Sequence, residues 1–109
     1  MSKNIMELIQ PMEVTRDVMG FWSHPGIPDF DEDHLAYKEW QHAQGLEICH
    51  QNLESEDDEH PAYKSYYEGD GGGSIAEWNP DMPEGDGWFV LSIHDTEDGP
   101  YYVWARRTA

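Results

Sequence analysis

The sequence predicts an α+β fold: an antiparallel sheet of about four to five strands, with one main helix and one short helix packed on one face. Three observations carry this expectation. "GWFVLSIHD" and "PYYVWARR", near the chain end, are rich in aromatic and β-branched residues and are separated by turn-forming chemistry, as in a hairpin. Ahead of them, apolar residues at a 3–4 spacing run from Leu35 to Ala43, with acids before the run and Gly45 just past its end. Five Trp, six Tyr and three Phe offset a low hydrophobic content of 38% and supply area for a core. Disordered chains of comparable acidity usually lack such aromatics. At 109 residues the whole chain, 1–109, is expected to be one acidic domain.

Taken in order, residues 1–11 read as an N-terminal arm, because Pro11 ends any helix begun by Ile5, Met6, Leu8 and Ile9. "MEVTRDVMGFWS" reads as a hairpin of Met12–Arg16, a turn ending at Gly20, and a strand at Phe21–Ser23; a short helix capped by Thr15 competes with it. Pro25, Gly26 and Pro28 make a loop. The main helix follows, capped by Asp31 or Asp33, with Leu35, Ala36, Trp40 and Ala43 on one buried face. Leu46, Ile48 and His50 alternate with Glu47 and Cys49, as in a strand. "ESEDDE" is a like-charge run, so residues 54–60 are expected to form a mobile, solvated loop. "PAYKSYYEG" predicts a short helix from Pro61 closed by Gly69. "GDGGGS" is a break, "SIAEW" a short strand and "NPDMPEGDG" a loop. In the final hairpin, regular alternation places Phe89, Leu91 and Ile93 on one face and Trp88, Val90 and Ser92 on the other.

Charge narrows the function. Lys and Arg total 6, Asp and Glu total 23, and the net charge is −17. Phosphate neutralisation needs clustered cations, so direct binding to nucleic acid is disfavoured, and the same field repels anionic membranes. A basic protein partner would be steered toward the chain. Cys49 stands alone, which removes a disulfide framework and a multi-cysteine zinc site. No apolar run approaches membrane-spanning length and no signal-peptide core opens the chain, so the cytoplasm is the expected location.

Within "SIHDTEDGP", His94, Asp95, Glu97 and Asp98 could ligate a hard cation, but the order of an EF-hand loop is missing. Turn chemistry accounts for the same residue types: Asp-Gly supplies positive φ and Pro100 opens the outgoing strand. His34, His42 and His50 recur every eight residues, yet eight residues leave an angular offset of about 80° on a helix, and His50 lies past Gly45. His24 and His60 each precede a proline. No nucleophile motif appears, and "GDGGGS" has neither the apolar strand before it nor the basic residue after it that a phosphate loop needs. No enzyme activity, cofactor or metal is expected. The candidate partner-binding residues are Asp31, Glu32, Asp33, Glu54, Glu56, Asp57, Asp58 and Glu59, with Tyr63, Tyr66 and Tyr67 as aromatic anchors.

"RDVMGFWSHPGIPDFDED", "QGLE" and above all "WNPDMPEGDGWFVLSIHDTEDGPYYVWARR" resemble a group of small acidic proteins of tailed phages and prophages. The resemblance spans residues 12–107 and is most distinctive from Trp78 to Arg107. It implies a phage accessory protein made in the bacterial host cytoplasm and brings no catalytic residues with it. With the charge, it leads to an expected function: binding and inhibiting or modulating a basic, nucleic-acid-binding host protein by mimicking nucleic-acid charge, in the manner of anti-restriction and anti-CRISPR proteins. Two alternatives are a small metal-binding protein or metal-dependent hydrolase using His94, Asp95 and the helix-start acids, and a minor virion component.

Overall fold

Backbone pairing gathers the aromatic and β-branched runs into one sheet. The computed structural model describes residues 8–30, 33–69, 72–97 and 99–107. Along them run β1 (Trp22–Ser23), α1 (His34–Ala43), β2 (Leu46–Asn52), a 3₁₀ turn (Leu53–Ser55), α2 (Pro61–Tyr67), β3 (Phe89–Thr96) and β4 (Gly99–Arg107). The sheet has four strands in the order β1-β3-β4-β2, and every neighbouring pair is antiparallel. The α+β antiparallel architecture is therefore as predicted.

The two helices, however, do not share a face. Adjacent residues of a strand point to opposite sides of a sheet. Val103 and Ala105 pack with Ile9, Phe89 and Leu91, and half-buried Trp40 of α1 joins them. Tyr102 and Trp104 pack the other way, with Leu53, Ala62 of α2, Ile75, Trp78 and Ile93. The expectation of both helices on one face is thus corrected: α1 covers one side, while α2 and the Ile75–Trp78 segment cover the other. The physical reason is that β4 is apolar on both faces and each face needs a cover. Leu53, Ile75, Leu91 and Ile93 are fully buried, and each contributes roughly 2 kcal/mol through area removed from water.

A β-bulge in β3 redistributes its side chains. Val90 pairs with Trp104 and Ser92 with Val103, so Leu91 is an extra residue in the ladder. Leu91 stays with Phe89, whereas Ile93 joins the opposite cluster with Val90. The predicted common face of Phe89, Leu91 and Ile93 fails for this reason.

Residues 12–16 form no strand, so the early hairpin is not present. The turn before Phe21 is real: Gly20 N–H donates to the Asp17 carbonyl at 2.9 Å, and Asp17 Oδ1 accepts from the N–H groups of Met19 and Phe21. Arg16 instead crosses to the second half of the chain. It donates to the carbonyls of Gly20, Trp78 and Ile75 at 2.8, 3.0 and 2.7 Å. These bonds hold "SIAEW" as a turn, closed by Trp78 N–H to the Ile75 carbonyl, rather than as the predicted strand. Gly20 has φ 94°, and a Cβ there would lie 2.6 Å from the backbone N of Ala76, so the two segments meet where only glycine fits.

α1 begins at Asp33, whose Oδ1 accepts from Ala36 N–H, and ends before Gly45 at φ 72°. Its inward face is rotated from the expected one. Leu35 is 68% exposed, while Tyr37 and Trp40 pack with Phe30 at ring distances of 5.6 and 6.0 Å. The aromatic pair offers more area than Leu35 and Ala43 and sets the helix rotation. At the helix end Gln44 is buried, and its Oε1 accepts from Ile9 N–H and from Arg107 Nη2. Arg107 also donates to the Ile9 carbonyl, so the arm from Leu8 onward is pinned to β4.

Candidate partner-binding surface

The short helix α2 carries three tyrosines because its ends are well specified. Pro61 stands in the first turn, His60 Nδ1 accepts from Ala62 N–H at 3.0 Å, and Gly69 adopts φ 77° beyond the end. Spacings of three and four put Tyr63, Tyr66 and Tyr67 together: Tyr63 and Tyr67 rings lie 4.7 Å apart, and Tyr66 and Tyr67 meet edge-to-face at 4.9 Å. The cluster abuts the tip of the β3–β4 hairpin. Tyr66 donates its hydroxyl to Asp95 at 2.7 Å, and a Cβ added at Gly99 would collide with the Tyr67 hydroxyl. Burial, then the bond to Asp95 and its charge, pushes Tyr66 up to about 12. Burial followed by the charge of Glu54 raises Tyr67. Both stay protonated donors at neutral pH.

The predicted acidic residues take different places. Glu54 is exposed on the 3₁₀ turn, and Asp58 is exposed beyond it. Asp57 Oδ1 accepts from Glu59 N–H at 2.9 Å, a local turn bond. Glu59 lies 3.5 Å from Lys64, a pair exposed enough to contribute little. Glu56 is the exception, since its Oε2 accepts the indole N–H of fully buried Trp78 at 3.0 Å. It fastens the acidic run to the core. Asp33 caps α1 on the other side of the sheet, and Asp31 and Glu32 lie outside the described residues, as does Asp98. The helix-start acids therefore do not share a surface with the tyrosines through Asp33.

Reading Asp95 only as a turn residue misses its bond to Tyr66. The turn itself is confirmed: Thr96 pairs with Gly99, and Thr96 Oγ1 donates to the Gly99 carbonyl at 2.7 Å. His94 points away from Asp95, into a cavity under α1, and its Nδ1 lies 2.9 Å from Ser92 Oγ. Neighbouring strand residues on opposite faces cannot ligate one ion, so His94 and Asp95 do not form the metal pair of the alternative reading. Among the described residues, no group of three or more His, Cys, Asp or Glu is placed to hold a metal ion. His34 and His50 do meet at one cavity, with His94 rather than His42. His24 has a structural partner: its Nδ1 accepts from Gly26 N–H, so Nε2 carries the proton and donates to the Gln10 carbonyl at 2.6 Å. No described helix is long and apolar enough to cross a membrane.

The charge is distributed in a distinctive way. Each arginine is committed internally: Arg16 and Arg107 to backbone carbonyls, and Arg106 to Glu47 at 2.9 Å and to the face of Trp88 at 4.5 Å. Among the described residues every Asp and Glu except Glu47 and Glu56 is exposed. Among the described residues the arginines act inside the fold, while nearly all the carboxylates lie outside it. Compared with known proteins, the chain matches no family model, no curated protein and no solved structure.

Proposed function

We propose that this chain is a non-enzymatic binding protein that inhibits or modulates a basic, nucleic-acid-binding host protein. Its carboxylates occupy the partner's phosphate-binding surface, and the α2 tyrosines anchor the contact. The observation that carries the reading is the segregation of charge in a chain of net charge −17: the arginines are spent on internal contacts, while among the described residues every Asp and Glu except Glu47 and Glu56 is exposed. Tyr66 and Tyr67 beside Glu54 and Asp95 add an aromatic anchor within that anionic field, a combination suited to Lys or Arg side chains. Resemblance to small acidic phage and prophage proteins supplies the setting, the cytoplasm of a bacterial host.

The test begins with capture of host proteins on the tagged chain, followed by calorimetry with each purified partner at low and high salt. Duplex DNA should displace the chain from the partner, and added salt should weaken the complex. A variant carrying E54Q, D57N, D58N and E59Q should bind about tenfold or more weakly, with a flatter salt dependence. Glu56 is left intact because it holds Trp78. Equal binding by this variant, or failure of DNA to compete, would overturn the reading.

A further inference from the structure

α1 does not close over the whole of its face of the sheet. Trp40 packs with Leu46 and Ile48 against the core on this side, while His34, Tyr37, Lys38 and Gln41 face a gap between helix and sheet. Beneath them lies a cavity of about 490 Å³ with Ile48, His50, Tyr101 and Val103 among its lining residues. His34, Tyr37, Lys38 and Gln41 line it from α1, and His94 and Thr96 from β3. A neighbouring cavity of about 440 Å³ shares His34, Tyr37 and His94 with it. Both volumes fall in the range that accepts a small organic ligand, roughly 300–1,000 Å³.

The larger of these two cavities differs from its neighbour in sign, since Asp29 and Asp33 line the neighbour. None of its lining residues is Asp or Glu, although the chain has 23 of them. Lys38 supplies a full positive charge, and His34, His50, Gln41 and Tyr37 supply hydrogen-bonding groups. The interior is aromatic and aliphatic. His50 and Tyr101 lie parallel, 4.8 Å between ring centroids and 5° between planes, beside Ile48 and Val103. His94 is held neutral by burial and is engaged by Ser92, so the anion-attracting group is at the α1 edge rather than on β3.

We propose that this cavity binds a small aromatic molecule carrying one negative charge, such as an aryl carboxylate. Its ring lies against Ile48, Val103 and Tyr101, and its acid group is held at the α1 edge by Lys38 with help from Gln41. A dianion or polyanion is disfavoured by the field of the rest of the chain. The site is on the opposite side of the sheet from the α2 tyrosines, so it stands or falls separately from the proposed function.

Amide and side-chain NMR titration of the full chain with 2-naphthoate, and separately with neutral 2-naphthamide, tests the site. Saturable shifts should map to His34, His50, His94 and Tyr101, with the amide about tenfold or more weaker. Lys38→Glu changes an exposed side chain and should weaken naphthoate about tenfold without altering the fold. Glu39→Lys, an exposed neighbour outside the cavity, controls for the general field and should change affinity much less. Absence of saturable shifts, equal binding of acid and amide, an unaffected Lys38→Glu variant, or a Glu39→Lys effect as large as that of Lys38→Glu would each overturn the proposal.

Discussion

Glu56 is the residue whose role most changes the reading of the acidic run. A buried indole N–H that loses its acceptor keeps its desolvation cost, about 1–3 kcal/mol. Glu56→Ala should therefore destabilise the fold by roughly 2 kcal/mol in urea unfolding, whereas Glu56→Gln, which keeps an acceptor oxygen, should recover most of the loss. Equal stability of the two variants would sink the assignment. Two other side chains make stability depend on pH. Burial lowers His94 below its ordinary 6.5, against a smaller opposing effect of Asp95. Its contribution is intact above 6.5 and is lost as pH falls through the lowered value, because the unfolded chain takes up the proton first. Tyr66 behaves in the opposite sense: raised to about 12, it contributes below pH 10 and loses that contribution as pH climbs through 12. Unfolding midpoints measured across pH should show a flatter acid limb in His94→Gln and a flatter alkaline limb in Tyr66→Phe.

At the scale of elements, local chemistry determined what could be read in advance. α1, β2, α2 and the final hairpin have caps, alternation or turn residues within a few positions of their own ends, and all four are present in the structure. The features missed depend on remote partners. Nothing near Arg16 in sequence announces that its guanidinium will reach the Ile75 and Trp78 carbonyls, so residues 12–16 resembled half of a hairpin. The rotation of α1 depends on Phe30 packing against Tyr37 and Trp40, a contact absent from the helix's own periodicity. The candidate surface was legible in its residue types but not in its grouping. Asp95 joins the tyrosines only because the hairpin tip folds over α2, and Asp33 leaves them because α1 covers the other face.

For the molecule as a whole, 23 acids against 6 basic residues make self-repulsion a standing cost of folding. Screening shortens the range of that repulsion to about 8–10 Å near physiological salt. Thermal midpoints should rise from 20 mM to 300 mM sodium chloride, on the order of several degrees if the relief is about 1 kcal/mol. A midpoint that falls with salt would mean that the internal ion pairs outweigh the surface field. The same screening weakens association with a basic partner, so stability and binding should move in opposite directions along one salt series.

The extra residue at Leu91 also determines which changes of chain length the sheet can absorb. Val90 already faces Trp104 and Ser92 already faces Val103, so removing Leu91 straightens the ladder against β4, at the loss of the bond its carbonyl accepts from His24 N–H. Ile93, His94 and Asp95 would keep their partners Tyr102, Tyr101 and Pro100, at the loss of one buried leucine. Deleting Ile93 has no such slack to draw on, and would bring His94 to the tyrosine side and turn Asp95 beneath α1. Deletion scanning along residues 89–96, read by the yield of folded protein, should therefore find a tolerated gap at residues 90–92 and intolerance from 93 onward.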